Sequence, residues 1–446
     1  MSREEAIERV ASRLRLLSEK ETSNFIVDGV RPKAVVEADS EEDVAMLLKS
    51  ASEEGVTVIP WGGGTMMGLG NIPRSLDIVV SLRRLNKIIE YSPEDLVVTS
   101  GAGLTLGSLQ SLLAKNGQFL PLDPPYSDDA TLGGIVSSNA FGPLRYLYGG
   151  VRDLLLGVRA AGTNGALMRY GGKVVKNVAG YDIKKLFVGS LGTLGIITQT
   201  TFRLYAIPEF EESLISIFNS LDDISKAIKE ILRNIHSSIG IGISSIEMLD
   251  PNFWRIFKKS DNLEGYALAI RVLGVTKAAL MRRIKELEEL TKHNNCAKSM
   301  ILDGSEHLSF WKEMQNHPRI ASKLSTRCKI STLISRVPDV IRVIQEKGKI
   351  HEVDYCIIAH SGIGMLHAYF HSEDYNNLSR VLIDLRSYVV GVGHGSSLVI
   401  ESAPLEIKRL VDVWGPVKKD FMLMKAIKNV FDPRGILCPG RYVGGI

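Results

Sequence analysis

Apolar and polar positions in the first half of the chain alternate between the spacing of a helix and that of a strand. Ser40 can cap a helix with Asp43 as its capping-box partner, and apolar residues within 44–51 then recur at i, i+3, i+4 and i+7. Gly55 is suited to end this helix, and the β-branched run 56–59 predicts a short strand. The same pattern predicts strands at 78–81 and 96–100 and a helix over 106–115.

The pattern changes after Pro208, where the glycine clusters of the first half thin out. This change indicates a domain boundary. The region beyond it predicts strands at 213–218 and 267–272 and helices over 221–233 and 277–292.

A second shift falls near Glu406, and a helix over 425–430 is stopped by a turn over 431–435. Together the patterns predict an α+β chain. Its predicted parts are a cofactor domain over 1–205, an inserted α/β cap domain over 206–405, and a C-terminal segment over 406–446 that returns to the first domain.

Composition excludes several classes of function. The 446 residues carry a net charge of only +4, and Lys and Arg are dispersed among Asp and Glu, so we expect no nucleic-acid surface. No apolar run reaches the roughly 20 residues of a membrane-spanning helix, and the acidic N-terminus is unlike a secretory signal. We expect a cytoplasmic protein, with a mildly basic face that could hold it peripherally on the inner face of a membrane.

The four cysteines are widely spaced and include no C-x-x-C pair. This spacing excludes a cysteine-held iron–sulfur cluster or zinc ribbon within the chain and suggests a reducing compartment. The residues are Cys296, Cys328, Cys356 and Cys438.

Residues 60–70 read Pro-Trp-Gly-Gly-Gly-Thr-Met-Met-Gly-Leu-Gly, directly after a predicted strand. Consecutive glycines adopt positive φ cheaply, so their N–H groups can converge on an anion, although an isolated run of this kind can also be a plain surface turn. Two further small-residue regions, 131–140 and 189–197, are each tied to regular structure as well. Three such regions favour a bound ligand.

Residues 101–107 follow a strand and open a helix, as a dinucleotide-binding fingerprint should. Their spacing is G-x-G-x-x-x-G instead of G-x-G-x-x-G, and Asp123 lies in a proline-rich turn. We therefore interpret this segment as a structural strand-to-helix turn and expect no NAD site there.

These segments, in this order, resemble the FAD domain shared by vanillyl-alcohol oxidase, p-cresol methylhydroxylase and the FAD-linked D-2-hydroxyacid dehydrogenases. The densest match is 172–198, whose Lys-Asn-Val-Ala-Gly-Tyr-Asp stretch is most similar to the FAD-binding subunit of glycolate oxidase. The other matching segments are 32–36, 60–70, 121–142, 149–158 and 432–441.

The resemblance implies a two-subdomain FAD-binding domain of the p-cresol methylhydroxylase type, with 61–65 on the pyrophosphate and 131–139 and 189–197 along the adenine and isoalloxazine. Residues 1–205 contain no His and no Cys, so a histidyl or cysteinyl flavin link from that domain is impossible. Dissociable FAD is expected, and a histidine of the cap domain is the alternative that would give a covalent link. The predicted cofactor-binding residues are Pro60, Trp61, Gly62, Gly63, Gly64, Thr65, Gly68, Pro124, Thr131, Gly133, Gly134, Ser137, Asn139, Gly142, Lys176, Asp182, Gly192, Gly195, Ile196 and Ile197.

A second constellation places His360 and His367 across a Gly-x-Gly turn, where two imidazoles can converge on a divalent metal such as zinc. Ordinary polar residues at strand ends are the alternative. The resemblance implies a metal at such a pair, with Glu401 as third ligand. It also implies a catalytic histidine where this chain has Ser402, which leaves His394 as the substitute base.

The resemblance also implies that basic cap residues bind a substrate carboxylate. Lys329 is the first candidate for this role, Arg327 is the second, and Arg319 is a weaker one. The expected reaction oxidises a small 2-hydroxy acid such as D-lactate or glycolate by hydride transfer to flavin N5. Electrons would pass to a quinone, a cytochrome, an iron–sulfur partner or a dye. Two alternatives are a non-catalytic FAD-binding subunit of a glycolate-oxidase-like complex and a sugar or alditol oxidase.

Overall fold

The computed structural model describes residues 2–172, 181–234, 242–260 and 264–446. The chain divides into two compact units, and their limits differ from the predicted 205 and 405. Unit 1 comprises Met1–Phe141, Gly149–Ile207 and Pro416–Ile446, and unit 2 comprises Gly142–Tyr148 and Pro208–Gly415.

The strands of the described residues, in chain order, are β1 (Arg15–Leu16), β2 (Ala34–Glu37), β3 (Val58–Trp61), β4 (Ile78–Ser81), β5 (Ile88–Ser92), β6 (Val97–Gly101), β7 (Gln118–Phe119), β8 (Leu155–Ala161), β9 (Leu167–Gly171), β10 (Ile196–Arg203), β11 (Tyr205–Ala206), β12 (Phe210–Phe218), β13 (Ile243–Leu249), β14 (Tyr266–Gly274), β15 (Lys298–Leu302), β16 (Thr326–Ser331), β17 (Asp354–His360), β18 (Met365–His371) and β19 (Ser397–Ser402).

The α-helices of the same residues are α1 (Arg3–Ala11), α2 (Glu19–Thr22), α3 (Glu41–Glu54), α4 (Leu106–Leu113), α5 (Leu132–Ser138), α6 (Arg145–Tyr148), α7 (Val151–Leu154), α8 (Lys184–Phe187), α9 (Leu221–Arg233), α10 (Pro251–Lys258), α11 (Lys277–His293), α12 (Gly304–Gln315), α13 (His317–Ile320), α14 (Val337–Ile350), α15 (Tyr375–Gly391), α16 (Leu405–Leu410) and α17 (Phe421–Phe431).

Unit 1 contains two main sheets. The first has the order β1-β2-β4-β3, in which β4 runs parallel to both β2 and β3. The second is antiparallel, with the order β5-β6-β10-β8-β9. The C-terminal return joins the first sheet at β3, because Val58 donates to Ile436 O at 2.9 Å and Cys438 donates to Val58 O at 3.1 Å.

Local sequence signals account for the helix that packs beside this sheet. The Ser40 hydroxyl accepts from Asp43 N at 3.1 Å and the Asp43 carboxylate accepts from Ser40 N at 3.0 Å, which is the predicted capping box. Gly55 ends α3 with φ +70°, a left-handed conformation that glycine adopts without a Cβ penalty. The helix buries its Val44, Leu47, Leu48 and Ala51 face in the core, as the spacing predicts.

Unit 2 is built on one antiparallel sheet of the described strands, in the order β15-β12-β14-β13-β17-β18-β16-β19. Helices α9, α11, α14 and α15 cover one face through an apolar core. Helices α10 and α12 contribute to a second core on the other face, where Ile358 and Tyr369 also lie. Burial of a large apolar side chain such as Ile224 stabilises the fold by about 1.5–3 kcal/mol.

Candidate functional site

The triple-glycine turn follows β3 directly, and its carbonyl groups are fixed by one side chain. Arg83 Nε donates to Gly62 O at 3.0 Å, and Arg83 Nη2 donates to Gly63 O at 3.4 Å. Because C=O and N–H point in opposite directions in a trans peptide, the amides of Gly63 and Gly64 face away from Arg83. The turn therefore presents two N–H groups side by side, as an anion-binding loop requires.

Close backbone contacts make glycine necessary in this turn. A Cβ on Gly62 would lie 2.1 Å from Thr131 Oγ1, and a Cβ on Gly63 would lie 1.9 Å from Asp129 O. Gly64 has φ +79° and packs against the Trp61 ring. The segment around Thr131 is thus pressed against the glycine turn, so the sequence-distant small residues form one structure.

One cleft in unit 1 collects residues from all three predicted small-residue regions. Its walls come from the turn after β3, from α5 with its cap, and from the loop before β10. The predicted cofactor residues that line it are Pro60, Gly62, Gly63, Gly64, Thr65, Thr131, Gly133, Gly134, Ser137, Gly192, Gly195 and Ile197.

Several predicted cofactor residues lie elsewhere. Trp61 and Ile196 are buried in the core, and Asn139 ends α5 in a left-handed conformation. Asp182 forms ion pairs with Lys184 and Lys185, and Gly142 belongs to unit 2. Lys176 lies outside the described residues, and Gly68 and Pro124 are not among those that line the cleft.

The cleft also has lining residues that sequence reasoning missed, among them Met66, Leu69 and Arg441. The buried Arg441 guanidinium donates to the carbonyl groups of Met67 and Leu69 and so fixes the loop after the glycine turn. The signal for Arg441 was its place in the C-terminal motif, which lies beside the glycine turn only in the folded chain.

The glycines of 101–107 have a packing role. The segment joins β6 to α4, which Thr105 caps by accepting from Ser108 N at 3.2 Å. A Cβ on Gly101 would lie 2.1 Å from Leu85 O, and one on Gly103 would lie 1.9 Å from Leu82 O. Close approach of two backbone segments therefore explains these glycines.

The predicted histidine pair lies in unit 2, on neighbouring strands. His360 ends β17 and His367 lies on β18, and His360 Nε2 is 3.1 Å from His367 Nδ1. Both side chains are buried. Glu247 of β13 pairs opposite His360, and its carboxylate oxygen is 2.8 Å from His360 Nδ1. The sheet register thus places an acid behind one imidazole.

Glu401 is close to the pair, but two cations hold its carboxylate. Arg327 Nε lies 3.1 Å and Lys329 Nζ lies 3.3 Å from the two oxygens, while His367 Nε2 lies 3.4 Å away. Burial alone would raise the pKa of Glu401, but the charges of Lys329 and Arg327 outweigh burial and hold that pKa well below its usual range. Glu401 is therefore the counter-ion of the two predicted carboxylate-binding residues.

A third histidine, which sequence reasoning did not select, completes the cluster. His317 begins α13, and one ring nitrogen of each of His317, His360 and His367 lies within 4.8 Å of the others. Burial is the main cause that lowers the pKa of His367 to about 4 and that of His317 well below its usual value. Both rings are therefore neutral near pH 7, which is the form that binds metals. Burial also raises the pKa of Glu247, against the charge of His360.

The structure does not bring His394 to this cluster. His394 lies on an exposed turn before β19, whereas Glu401 is near the other end of that strand. The register of β19 on β16 pairs Ser397 with Ser331 and Ser402 with Arg327, so the strand length separates His394 from Glu401. Arg319 is exposed on α13. The substitute base predicted at His394 therefore gains no support from this geometry.

Two family models cover most of the chain: a FAD-binding domain over residues 32–171, and the C-terminal domain of FAD-linked oxidases over residues 207–393 and 414–442. The chain belongs to the FAD-linked oxidoreductases. The resemblance drawn from the sequence motifs is thereby confirmed. The glycine-lined cleft lies in the unit that contains the FAD-binding domain, and its close-packed turn suits that cofactor.

The family contains relatives with named activities. The chain is 26% identical to the glycolate oxidase subunit GlcD of Bacillus subtilis, over 92% of the chain and 88% of the relative. It is 28% identical to a probable mitochondrial D-lactate dehydrogenase of Danio rerio, over 92% of the chain and 84% of the relative.

Among solved structures, p-cresol methylhydroxylase with bound substrate matches with a TM-score of 0.75 at 17% identity, over 98% of this chain and 96% of that one. The match confirms the predicted fold class of the FAD-linked oxidoreductase. Within the described ranges, no helix is both long and apolar enough to cross a membrane.

Proposed function

We propose that the chain oxidises a small 2-hydroxy acid, such as D-lactate or glycolate, to the 2-oxo acid. The observation that carries this proposal is the buried group formed by Arg327, Lys329 and Glu401 beside three histidines. Two cations against one carboxylate leave net positive charge, which suits an anionic substrate better than a neutral polyol. The named activities of the glycolate oxidase subunit and the D-lactate dehydrogenase support the same substrate class.

Lys329 is the proposed anchor of the substrate carboxylate. Its side chain is 20% exposed, whereas that of Arg327 is 9% exposed, so the ammonium group is the more accessible cation. Arg327 then serves mainly to position Glu401 and Lys329. We propose that FAD is bound without a covalent link in the unit 1 cleft, where it would supply a hydride acceptor.

The proton of the substrate hydroxyl must also leave. We propose that the cluster of His317, His360 and His367 assists this step, because neutral imidazoles can accept a proton or hold a divalent cation that lowers the pKa of an alcohol. In the absence of cluster cysteines and of an NAD fingerprint, we propose a quinone, a cytochrome or an iron–sulfur partner as the electron acceptor.

Anaerobic titration of the FAD-loaded protein tests the proposal. Flavin absorbance should bleach with D-lactate or glycolate but not with a neutral polyol of similar size. Lys329→Met should raise the substrate concentration needed for half-bleaching by about 100-fold, as expected for the loss of a charge-assisted contact. Lys323→Met, which removes an exposed lysine of unit 2, is the matched control.

Ser402 favours one other candidate, a non-catalytic FAD-binding subunit, because it stands where the resemblance implies a catalytic histidine. That candidate requires a flavin that no 2-hydroxy acid bleaches. A sugar or alditol oxidase requires bleaching by the polyol instead. Either result would remove the proposed substrate class.

A further inference from the structure

Helix α17 of unit 1 buries a charged residue and leaves apolar residues exposed. Of its residues 421–431, all of which the structure describes, the buried one is Lys428, whereas Met422 and Val430 are 74% and 80% exposed. The Lys428 ammonium group lies 2.6 Å from the carboxylate of Asp432, which is 1% exposed. Burial of a charge is costly unless the charge is paired and hydrogen-bonded. Packing of the helix alone therefore does not account for a lysine at this position.

The pair completes the hydrogen bonding of the C-terminal return. The residues on either side of Leu437 bond to Val58 of β3, so the N–H and C=O of Leu437 point to the opposite side. On that side, Asp432 Oδ2 accepts from Leu437 N at 2.8 Å, and Lys428 Nζ donates to Leu437 O at 3.0 Å. The two side chains thus bind the main chain of Leu437 as a neighbouring strand would.

The same ammonium group also reaches a wall of the glycine-lined cleft. A lysine ammonium has three donors, and Lys428 uses two of them within the C-terminal return. Its remaining contact is with Thr193 O, at 2.9 Å. Thr193 belongs to the loop over 189–195, here called the cleft loop. Leu191 and Gly192 of the cleft loop line the cleft, so one buried side chain connects the C-terminal return to that wall.

The cleft loop has a strained backbone. Leu191 has φ +51°, a left-handed conformation that residues with a side chain disfavour. Gly192 has φ +77°, and a Cβ there would lie 2.7 Å from the ring of Pro60. On one side, Leu191 N donates to Ser137 O of α5 at 2.9 Å, and on the other side the loop is held by Lys428. Strained conformations persist only where the surroundings hold them, and they cluster at ligand sites.

We propose that Lys428 is a positioning residue for FAD, which holds the cleft loop in its strained conformation so that the cofactor meets a preformed wall. Asp432 fixes the direction of the ammonium group. The inference rests on the part of the proposed function that assigns FAD to the unit 1 cleft. Without the Lys428 contact the loop can relax, and the apparent affinity for FAD then falls with the fraction of molecules that keep the competent conformation.

Binding of FAD to the flavin-free, full-length protein tests this role. Lys428→Met should weaken FAD binding about 5- to 150-fold, the factor that corresponds to the cost of one strained residue. The circular dichroism of the bound flavin should also change, because the loop that lines the cleft has moved. The matched control is Lys425→Met, which removes an exposed lysine of the same helix and should bind FAD as wild type does.

Two further variants separate positioning from a loss of stability. Val10→Ala shortens a fully buried side chain of α1 that does not line the cleft, so it should lower the urea midpoint without changing FAD affinity. Lys428→Met combined with Asp432→Asn leaves neither charge of the pair buried alone, which covers the case in which Lys428→Met does not fold. The double variant should bind FAD as weakly as the single one, because Thr193 O still lacks its donor.

The outcomes distinguish this inference from the proposed function. FAD affinity lowered by less than about fivefold in the folded variants, or a double variant that does not fold, would overturn the positioning role. If a 2-hydroxy acid bleaches wild type and Lys428→Met binds FAD normally, this inference alone fails. If Lys428→Met binds FAD weakly and no 2-hydroxy acid bleaches wild type, the proposed substrate class alone fails.

Discussion

Glu401→Gln is the substitution for which the structure gives the clearest energetic expectation. The variant leaves Arg327 and Lys329 without their buried counter-ion. Breaking a buried ion pair by removing one partner costs about 3–5 kcal/mol, and the partial exposure of Lys329 favours the lower end, about 3 kcal/mol. Since domains are stable by about 5–15 kcal/mol, this is a large fraction of the stability of unit 2.

Urea unfolding followed by tryptophan fluorescence measures this loss. Trp254, Trp311 and Trp414 belong to unit 2, and Trp61 alone belongs to unit 1, so the signal reports mainly the unit that carries the change. With a denaturant dependence of about 2 kcal/mol per molar urea, a loss of 3 kcal/mol moves the midpoint down by about 1.5 M.

A matched control distinguishes the loss of a buried counter-ion from the loss of any carboxylate charge. Glu288→Gln breaks a pair with Lys292 at 3.0 Å on the surface of unit 2, where such pairs contribute about 0–1 kcal/mol. Glu401→Gln combined with Lys329→Met should recover part of the loss, because one unpaired cation is then gone. If Glu401→Gln and Glu288→Gln unfold at the same urea concentration, the counter-ion role of Glu401 is refuted.

The loss of stability in Glu401→Gln should depend on pH in a definite direction. The folded-state pKa of Glu401 is lowered, so its stabilisation is present above the unfolded value of about 4.3 and is lost as pH falls through the folded pKa. The gap between wild type and Glu401→Gln should therefore be widest near neutral pH and should close in acid. A constant gap from neutral to strongly acidic pH would contradict the assigned charge state.

Three further predictions use other parts of the chain. Gly63→Ala should reduce FAD affinity at least 100-fold because its Cβ would lie 1.9 Å from Asp129 O, whereas Gly172→Ala, with no atom within 4 Å, should keep full flavin absorbance. Acid precipitation should release all of the flavin into the supernatant, and a yellow pellet would show a covalent link. Burial raises the pKa of Asp250 to about 7, so wild type should lose about 3 kcal/mol of stability as pH rises from 4 to 7. Asp250→Asn, which keeps the helix cap, should not lose it, and parallel stability curves would contradict this.

Local signals were sufficient where a single stretch of chain determines the structure. The capping box at Ser40 and the left-handed Gly55 are recognisable from residue type alone, and the apolar spacing of α9 gave its bounds as Leu221–Arg233. The glycine turn was also recognisable, because consecutive glycines have few other uses directly after a strand. The steric need for glycine at these positions is not recognisable from the sequence, because a Cβ would clash with Asp129 and Thr131, which come from a distant segment.

Long-range packing explains why a short segment within the predicted first domain, 1–205, belongs to unit 2. Residues 142–148 precede a unit 1 strand in the chain yet belong to unit 2. Tyr146 packs against the core of unit 2, and a Cβ on Gly362 would lie 2.2 Å from its ring. A contact between a half-buried tyrosine and a glycine more than 200 positions away leaves no periodic trace near either residue.

The histidine cluster shows the same limit at the site itself. His360 and His367 were detectable because a two-strand hairpin turns a spacing of seven into adjacency. His317 reaches them only because α13 packs on the strand face that carries Tyr369, to which its Nδ1 is hydrogen-bonded. Glu401 was detectable as an acid at a strand end, but its role depends on the register that sets Arg327 and Lys329 beside it. The residue types that make up a site can thus be read from short motifs, whereas the assignment of ligand, counter-ion and anchor among them depends on pairings that only the folded sheet determines.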